Sequence, residues 1–161
     1  MKCIALFLIL CVAIVWAGSD QSVMRSIEEQ LILHEGIVLM PYYCTEGYLT
    51  IGIGRNLDTR GLSEAEALFL LANDIASIEA SLQVYSWYRH LDPIRKKVIV
   101  DMVFNLGLEG FLLFKKTIEH LENKDYRAAS KEMLDSKWAE QVGQRAIRLS
   151  RMMATGRDYT N

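Results

Sequence analysis

The stretch of residues 34–54 constrains the fold of this chain more than any other, because it joins the end of a helix to a β-hairpin. Upstream of it lies an apolar stripe with helical spacing, formed by Met24, Ile27 and Leu31. Gly36 supplies the left-handed residue that ends this helix. Glu35 falls four residues after Leu31, on the same stripe, so we expect its carboxyl to be partly desolvated. Desolvation favours the protonated form, which suits a general acid.

A β-hairpin is predicted for the second part of this stretch. Residues 45–47, Thr-Glu-Gly, are typical of a turn with glycine at the position that needs a positive φ. Residues 48–54 alternate in polarity, which is typical of a strand. This turn pairs Tyr42 with Thr50 and places Cys44 and Thr50 on the same face of the sheet. The glycines in the strand keep that surface low, so we interpret it as the wall of a cleft.

Three residues with chemically active side chains stand at a fixed spacing here: Glu35, eight residues, Cys44, five residues, Thr50. They lie inside the frame His-Glu-Gly … Thr-Glu-Gly-Tyr-Leu-Thr-Ile-Gly-Ile-Gly. This pattern resembles the active-site segment of the phage-type lysozymes, the small endolysins of tailed bacteriophages. Those enzymes have Asp or, in some members, Cys at the middle position, so Cys44 departs from the commonest form. Residues 101–107, 137–138 and 144–146 are similar to the same family, and the resemblance covers about residues 24–156.

The resemblance and the residue patterns together predict an α+β fold that is mostly α, of the lysozyme-like type. A domain over residues 19–161 is expected to hold a small N-terminal lobe with the hairpin at 22–62, a connecting helix at 63–84 and a helical C-terminal lobe at 85–156. Ser63 and Glu66 form a capping box for the connecting helix. Asp92 and Pro93 are typical of a helix start, and that helix is expected to stop at Gly107. A loop is predicted at residues 55–61, and further helices at 111–121, 126–134, 138–142 and 144–154.

Residues 3–18 form an uncharged apolar run that is preceded by Lys2. The run is slightly short for a transmembrane helix and long enough for the core of a signal peptide. The only flanking positive charge lies before it, which predicts export of the rest of the chain. Two interpretations of residues 1–18 stay open: an uncleaved signal-anchor, of the kind that some phage lysozymes carry and later release, or a signal peptide cleaved after Ala17.

These interpretations set the expected location and partners. A signal-anchor implies a protein held in the host inner membrane, facing the periplasm, and later released into the periplasm. A cleaved signal peptide implies secretion. The inner membrane, the host export machinery and peptidoglycan are therefore the expected partners.

The resemblance implies hydrolysis of the β-1,4 bond between N-acetylmuramic acid and N-acetylglucosamine in peptidoglycan, and so lysis of a host cell. A glycosidic oxygen is a poor leaving group that needs a protonated acid beside it, and Glu35 is the candidate. Thr50 matches the family hydroxyl that positions the attacking water. Cys44 takes the place of the commoner carboxylate, as a base, a nucleophile or a holder of water. Arg145, by resemblance, is expected to reach Glu35 and to fix its orientation.

The same resemblance places the sugar contacts at Phe104, Thr117, Asn56 and Glu132. Asn56 and Glu132 differ from the commonest family residues at these positions. The three histidines, at positions 34, 90 and 120, are scattered, and no Cys or His group has the spacing of a metal site. Neither a cofactor nor a metal is expected.

The chain has 18 basic and 20 acidic residues, a balance that argues against a nucleic-acid binder, and a monomer is expected. Two other functions fit part of the pattern. A lytic transglycosylase cuts the same bond but needs only the acid, so the retained thiol and hydroxyl favour hydrolysis. An inactive, membrane-anchored peptidoglycan-binding protein would bind walls without cutting them.

Overall fold

The computed structural model describes residues 26–159 in two compact units, of which the first ends at Ser63 and the second begins at Glu64. The described chain is mostly helical, with one small antiparallel sheet in the first unit, which confirms the predicted α+β class. Within residues 26–159 no helix is long and apolar enough to span a membrane. The signal-anchor or signal-peptide prediction for residues 1–18 lies outside the described residues.

The first unit consists of a helix and a three-stranded antiparallel sheet. Residues 26–35 are helical and are called α1. The helix ends as predicted at Gly36, which has a φ of 71° and whose amide donates to the Ile32 carbonyl at 2.9 Å. The strands that follow are β1 (Val38–Tyr43), β2 (Leu49–Gly52) and β3 (Arg55–Asn56), in the order β1-β2-β3.

The turn between β1 and β2 has the predicted register. Tyr42 lies opposite Thr50 in the ladder, and the Cys44 amide donates to the Tyr48 carbonyl at 3.0 Å. Gly47 has the expected positive φ, of 83°. The pairing of β1 with β2 is irregular between Val38 and Tyr42. Pro41 lies in this irregular part, where a residue without an N–H is tolerated.

The predicted loop at residues 55–61 is partly wrong, because Arg55 and Asn56 form a third strand. Gly52 and Gly54 have φ angles of 69° and 67°, and these left-handed residues reverse the chain directly after β2. Asn56 is thereby brought opposite Thr50, and Arg55 opposite Ile51. A tight reversal at two glycines therefore replaces the last part of the long strand predicted over residues 48–54.

The apolar stripe of α1 is exposed, and the predicted partial burial of Glu35 is wrong. Ile27 is 52% exposed, Leu31 is 49% exposed, and Glu35 is also exposed. Helical spacing decides which residues share a face, whereas burial also needs a second surface packed against that face.

The second unit is entirely helical. Its helices are α2 (Glu64–Leu82), α3 (Ser86–Arg89), α4 (Pro93–Leu112), α5 (Lys115–Glu122), α6 (Tyr126–Leu134), α7 (Lys137–Val142) and α8 (Gln144–Thr155). Helix α4 contributes the largest share of the core, and its buried residues are Val98, Ile99, Met102, Val103 and Phe111. Full burial of side chains of this size stabilises a fold by about 1.5–3 kcal/mol each. Met133 of α6, Trp138 of α7 and Met153 of α8 belong to the same core.

Most helix boundaries of the second unit agree with the sequence patterns. Asp92 caps α4 by accepting from the amides of Ile94 and Arg95, both at 3.0 Å, with Pro93 as the first helical residue. Asp125 caps α6 in the same way, and Gly156 ends α8 with a φ of 65°.

The prediction that a helix stops at Gly107 is only half right. Gly107 has a φ of 73° and a ψ of 161°, which interrupts the helical backbone, but α4 resumes and ends at Leu112. The amides of Leu113 and Phe114 then donate to the carbonyls of Gly110 and Phe111 and close this last turn. The helix predicted over residues 111–121 is therefore divided between the end of α4 and α5.

Candidate active site

The β1–β2 hairpin places Cys44 and Thr50 together, as the sequence predicted. Cys44 directly follows β1 and carries a free, half-buried thiol. Thr50 lies in β2 and is 4% exposed, and its hydroxyl is a hydrogen-bond partner of the Cys44 thiol. A thiol and a hydroxyl are thus held side by side on one face of a rigid turn.

The surroundings of Cys44 favour its thiolate. The backbone amide of Tyr48, followed by that of Glu46, donates to the sulfur and lowers the pKa of Cys44 below its ordinary value. Desolvation raises this pKa and the Thr50 hydroxyl lowers it further, while the negative charge of Glu46 raises it. The net effect is a lowered pKa, so more of the thiol is ionised at neutral pH than for an unperturbed cysteine.

The Thr50 side chain is also tied to the turn. Its Oγ1 donates to the Tyr48 carbonyl at 3.0 Å. A threonine hydroxyl has one proton to donate and two lone pairs that accept. Thr50 can therefore accept a hydrogen bond from a water molecule, while its single proton goes either to the Tyr48 carbonyl or to the Cys44 sulfur.

Glu35, the last residue of α1, points its carboxylate at the backbone of Gly54. A β-carbon placed on Gly54 would lie 3.1 Å from Glu35 Oε2. A β-carbon at this place would make the Glu35 carboxylate give way by a few tenths of an ångström, and the φ of 67° also favours glycine. Among the strand glycines that are expected to keep the sheet surface low, Gly54 is the one that lies beside Glu35.

Asn56 and Asp58, also in the first unit, have hydrogen bonds to the backbone. Asn56 Oδ1 accepts from the Thr59 amide at 2.9 Å, and Asp58 Oδ2 accepts from the Leu49 amide at 2.7 Å. Asn56 therefore holds a turn, and its Nδ2 group is the part that can meet a sugar. Asp58 was not singled out from the sequence, although a short polar residue in a loop is a common acceptor for backbone amides.

Thr117 and Glu132, in the second unit, line one cavity of about 650 Å³. Its other lining residues include Leu106, Phe114, Lys116 and Trp138. Thr117 is 1% exposed, and its Oγ1 has no hydrogen-bond partner among the described residues. Glu132 Oε2 lies 3.7 Å from Lys116 Nζ. A buried unpaired hydroxyl costs free energy unless a ligand satisfies it, so this cavity has the chemistry of a polar ligand site.

The two other predicted residues of the second unit lie outside the lining of that cavity. Phe104 is 49% exposed on α4 and presents an aromatic face to solvent. Arg145, on α8, donates from Nε to Asp101 Oδ1 at 2.8 Å. Its expected pairing with Glu35 stays a prediction. The sequence assigns Asp101 no role, because nothing in it indicates a bond between residues 44 positions apart.

Within the described residues no group of His, Cys, Asp and Glu side chains is arranged to hold a metal ion. The chemistry available in the first unit is that of a carboxyl, a thiol with a lowered pKa and a hydroxyl. An acid, a base and a group that holds water are the parts that acid–base cleavage of an acetal requires.

Comparison with known proteins agrees with this set of groups. The family model described as phage lysozyme matches residues 33–153. Two proteins of Dictyostelium discoideum, named probable T4-type lysozymes 1 and 2, are 35% and 30% identical to this chain. Each comparison covers 81% of this chain and 95% of the relative. The pre-baseplate central spike protein Gp5 of Enterobacteria phage T4 is 25% identical over 86% of this chain and 29% of its own length.

Proposed function

The chain belongs to the phage lysozyme family, and on that premise we propose that it is an endolysin muramidase. It hydrolyses the β-1,4 bond between N-acetylmuramic acid and N-acetylglucosamine in bacterial peptidoglycan. The observation that carries this proposal is the pairing of the Cys44 thiol and the Thr50 hydroxyl on one hairpin face, in the unit that also holds Glu35 over Gly54.

In the proposed reaction Glu35 is the general acid. It gives its proton to the glycosidic oxygen while the bond between that oxygen and C1 of the muramic acid breaks. Its exposed position at the end of α1 makes its carboxyl accessible to a polymer too large to enter a closed pocket.

Water completes the reaction from the hairpin side. Thr50 holds the water molecule, the Cys44 thiolate accepts one of its protons, and the remaining hydroxide adds to C1. The lowered pKa of Cys44 supports this role, because a base has to be ionised before it can accept a proton. By the family resemblance we assign Arg145 the orientation of the Glu35 carboxyl.

The substrate contacts are assigned to Phe104, Thr117, Asn56 and Glu132. The unpaired Thr117 hydroxyl supports a polar ligand, since a sugar hydroxyl or acetamido group can satisfy it. The Lys116 charge beside Glu132 reduces the repulsion that Glu132 exerts on the lactyl carboxylate of muramic acid.

Lysis of a host cell requires export of the catalytic groups. We assign residues 1–18 to a signal-anchor that holds the chain in the inner membrane until release into the periplasm, because their only flanking positive charge is Lys2. N-terminal sequencing of the periplasmic protein tests this assignment. A sequence that starts at Met1 supports it, and one that starts at Gly18 replaces it with a cleaved signal peptide.

The deciding experiment for the activity adds the full-length chain, kept in detergent, to purified peptidoglycan sacculi. A fall in turbidity with new reducing ends supports hydrolysis. Products with a 1,6-anhydro ring would identify a lytic transglycosylase instead. Binding to sacculi without any loss of turbidity would identify a wall-binding protein without activity.

A further inference from the structure

Asp101 of α4 holds Arg145 of α8 along one edge of the guanidinium group. Arg145 Nε donates to Asp101 Oδ1 at 2.8 Å, and Arg145 Nη2 lies 3.4 Å from the Asp101 main-chain carbonyl oxygen. The two side chains are 35% and 36% exposed, so the pair is at the surface but partly shielded. The carboxylate and the main-chain carbonyl of Asp101 therefore both hold the Arg145 guanidinium.

The remaining donors of Arg145 point in a direction that this contact sets. A guanidinium carries five N–H donors in a rigid planar fork. Asp101 takes up the Nε proton and one Nη2 proton, so the other N–H donors are left for a further partner. A lysine in this place would turn freely, whereas the held fork keeps one direction.

Three cationic side chains line one cavity together with Asp101. A neighbouring cavity of about 280 Å³ is lined by Lys97, Asp101, Arg145, Arg148, Leu149, Met152 and Tyr159, so among the lining residues that the structure describes Asp101 is the one carboxylate beside three cations. Without other partners, Lys97 and Arg148 would compete with Arg145 for it.

Two residues of the C-terminal segment, Asp158 and Tyr159, contact the other two cations. Lys97 Nζ lies 2.5 Å from Asp158 Oδ2, and the Arg148 guanidinium lies 5.6 Å from the centre of the Tyr159 ring. These contacts give each competing cation its own partner. Asp101 is thereby left to Arg145.

We propose that Asp101 is a positioning residue of the reaction, which acts by fixing the direction of the Arg145 guanidinium. The proposal rests on the proposed function, in which Arg145 orients the catalytic acid. Asp101 itself touches neither substrate nor reacting atoms.

A double-mutant cycle in the full-length chain, kept in detergent, tests this. The variants are Asp101→Ala, Arg145→Ala and the double variant, assayed on soluble uncross-linked peptidoglycan strands. Each single change is expected to lower kcat about tenfold with little change in KM, because an orienting contact matters most in the transition state. The double variant is expected to be no slower than Arg145→Ala alone, because Asp101 has nothing left to position.

Three further measurements separate positioning from a general loss of structure. Asp101→Asn keeps an oxygen acceptor for Arg145 Nε and is expected to recover most of the lost rate. Glu119→Ala removes an exposed carboxylate from α5 and is the matched control, expected to keep the parental rate. The NMR signal of the Arg145 Nε–H group is expected to exchange slowly in the parent and rapidly in Asp101→Ala.

If the parent is active and the two single-variant losses in kcat multiply in the double variant, the positioning role of Asp101 is wrong. The proposed function would not be affected by that result. An equal loss in Asp101→Asn and Asp101→Ala, or fast exchange of Arg145 Nε–H in the parent, would contradict the positioning role in the same way. A parent that releases no product from the strands would instead overturn the proposed function, and this inference would fall with it.

Discussion

The carboxylate of Glu35 lies beside Gly54, with Oε2 3.1 Å from the place that a β-carbon on Gly54 would occupy. Gly54 therefore lies beside the proposed catalytic acid, although it contributes no functional group.

Gly54→Ala is expected to lower the activity. The new methyl group moves Glu35 Oε2 by a few tenths of an ångström, and the positive φ adds strain of about 1–2 kcal/mol. Gly52→Ala is the matched control, because Gly52 has a similar φ of 69° but no atom within 4 Å of the added carbon. Thermal unfolding should show similar destabilisation of both variants, while turbidity assays should show a loss of activity only in Gly54→Ala. Equal activity in the two variants would show that the space beside Gly54 is not needed to place the Glu35 carboxylate.

Glu35→Gln is expected to abolish clearing of cell walls and to leave stability unchanged. The amide has the same shape as the carboxyl but has no acidic proton to give, and the exposed position means that no buried charge is removed. Circular dichroism and thermal unfolding check the fold. A variant that clears walls at a tenth of the parental rate or faster would show that Glu35 is not the general acid.

The acidic limb of the pH–rate profile is expected to follow the ionisation of Cys44. If the thiolate accepts a proton from water, the rate falls as the pH drops through the pKa of Cys44. That pKa lies below the ordinary thiol value because the amides of Tyr48 and Glu46 donate to the sulfur. Cys44→Asp should keep activity and move the limb down toward a carboxylate pKa, and Cys44→Ser should be far weaker.

Cys44→Ala decides whether the thiol matters at all. Full activity with an unchanged pH profile would reduce Cys44 to a packing residue. Alkylation of the parent should inactivate it, and a bound oligosaccharide should protect it. Alkylation of Cys44→Asp is the control, because that variant keeps Cys3 and Cys11 but has no thiol in the site.

Glu46→Gln is expected to move the same acidic limb to lower pH. The Glu46 charge raises the pKa of Cys44, whereas its backbone amide lowers it, and the substitution removes only the charge. Glu29→Gln, on the exposed surface of α1, is the control. A limb that does not move, or that moves to higher pH, would contradict the assignment of this limb to Cys44.

Thr117→Val is expected to raise the free energy of unfolding by about 1–2 kcal/mol, because it removes a buried hydroxyl without a partner among the described residues. The same change should raise KM for peptidoglycan strands if the 650 Å³ cavity takes the substrate. Ser150→Ala is the control: its buried hydroxyl donates to the Ser130 carbonyl at 2.9 Å, so its removal should lower stability. An unchanged KM in Thr117→Val would remove Thr117 from the substrate contacts.

Features with local causes could be predicted from the sequence. Gly47 fixes the turn, and the turn fixes the register that puts Cys44 beside Thr50. Asp92 and Pro93 start α4 through bonds made within one helical turn. In each case the residues that decide the structure are less than ten positions apart.

Features that depend on a second packing surface or on a distant partner could not be predicted from the sequence. The exposure of Glu35 depends on what packs against α1, and the bond between Asp101 and Arg145 joins different helices. The strand at Arg55 and Asn56 has only two residues, too few for an alternating pattern. Gly107 allows either an end or an interruption of a helix, and the packing of Phe111 in the core accompanies the second outcome.

Strand β1 lies at the edge of the described sheet, with Leu39 80% and Met40 74% exposed. An apolar edge of this kind usually invites a strand of another molecule and so promotes aggregation. Pro41 offers no N–H at the middle of this edge, and the ladder is irregular at the same place. A second molecule can therefore not extend the sheet along β1 without interruption. Pairing of two copies of the chain through this edge is therefore hindered, and their hairpins stay separate.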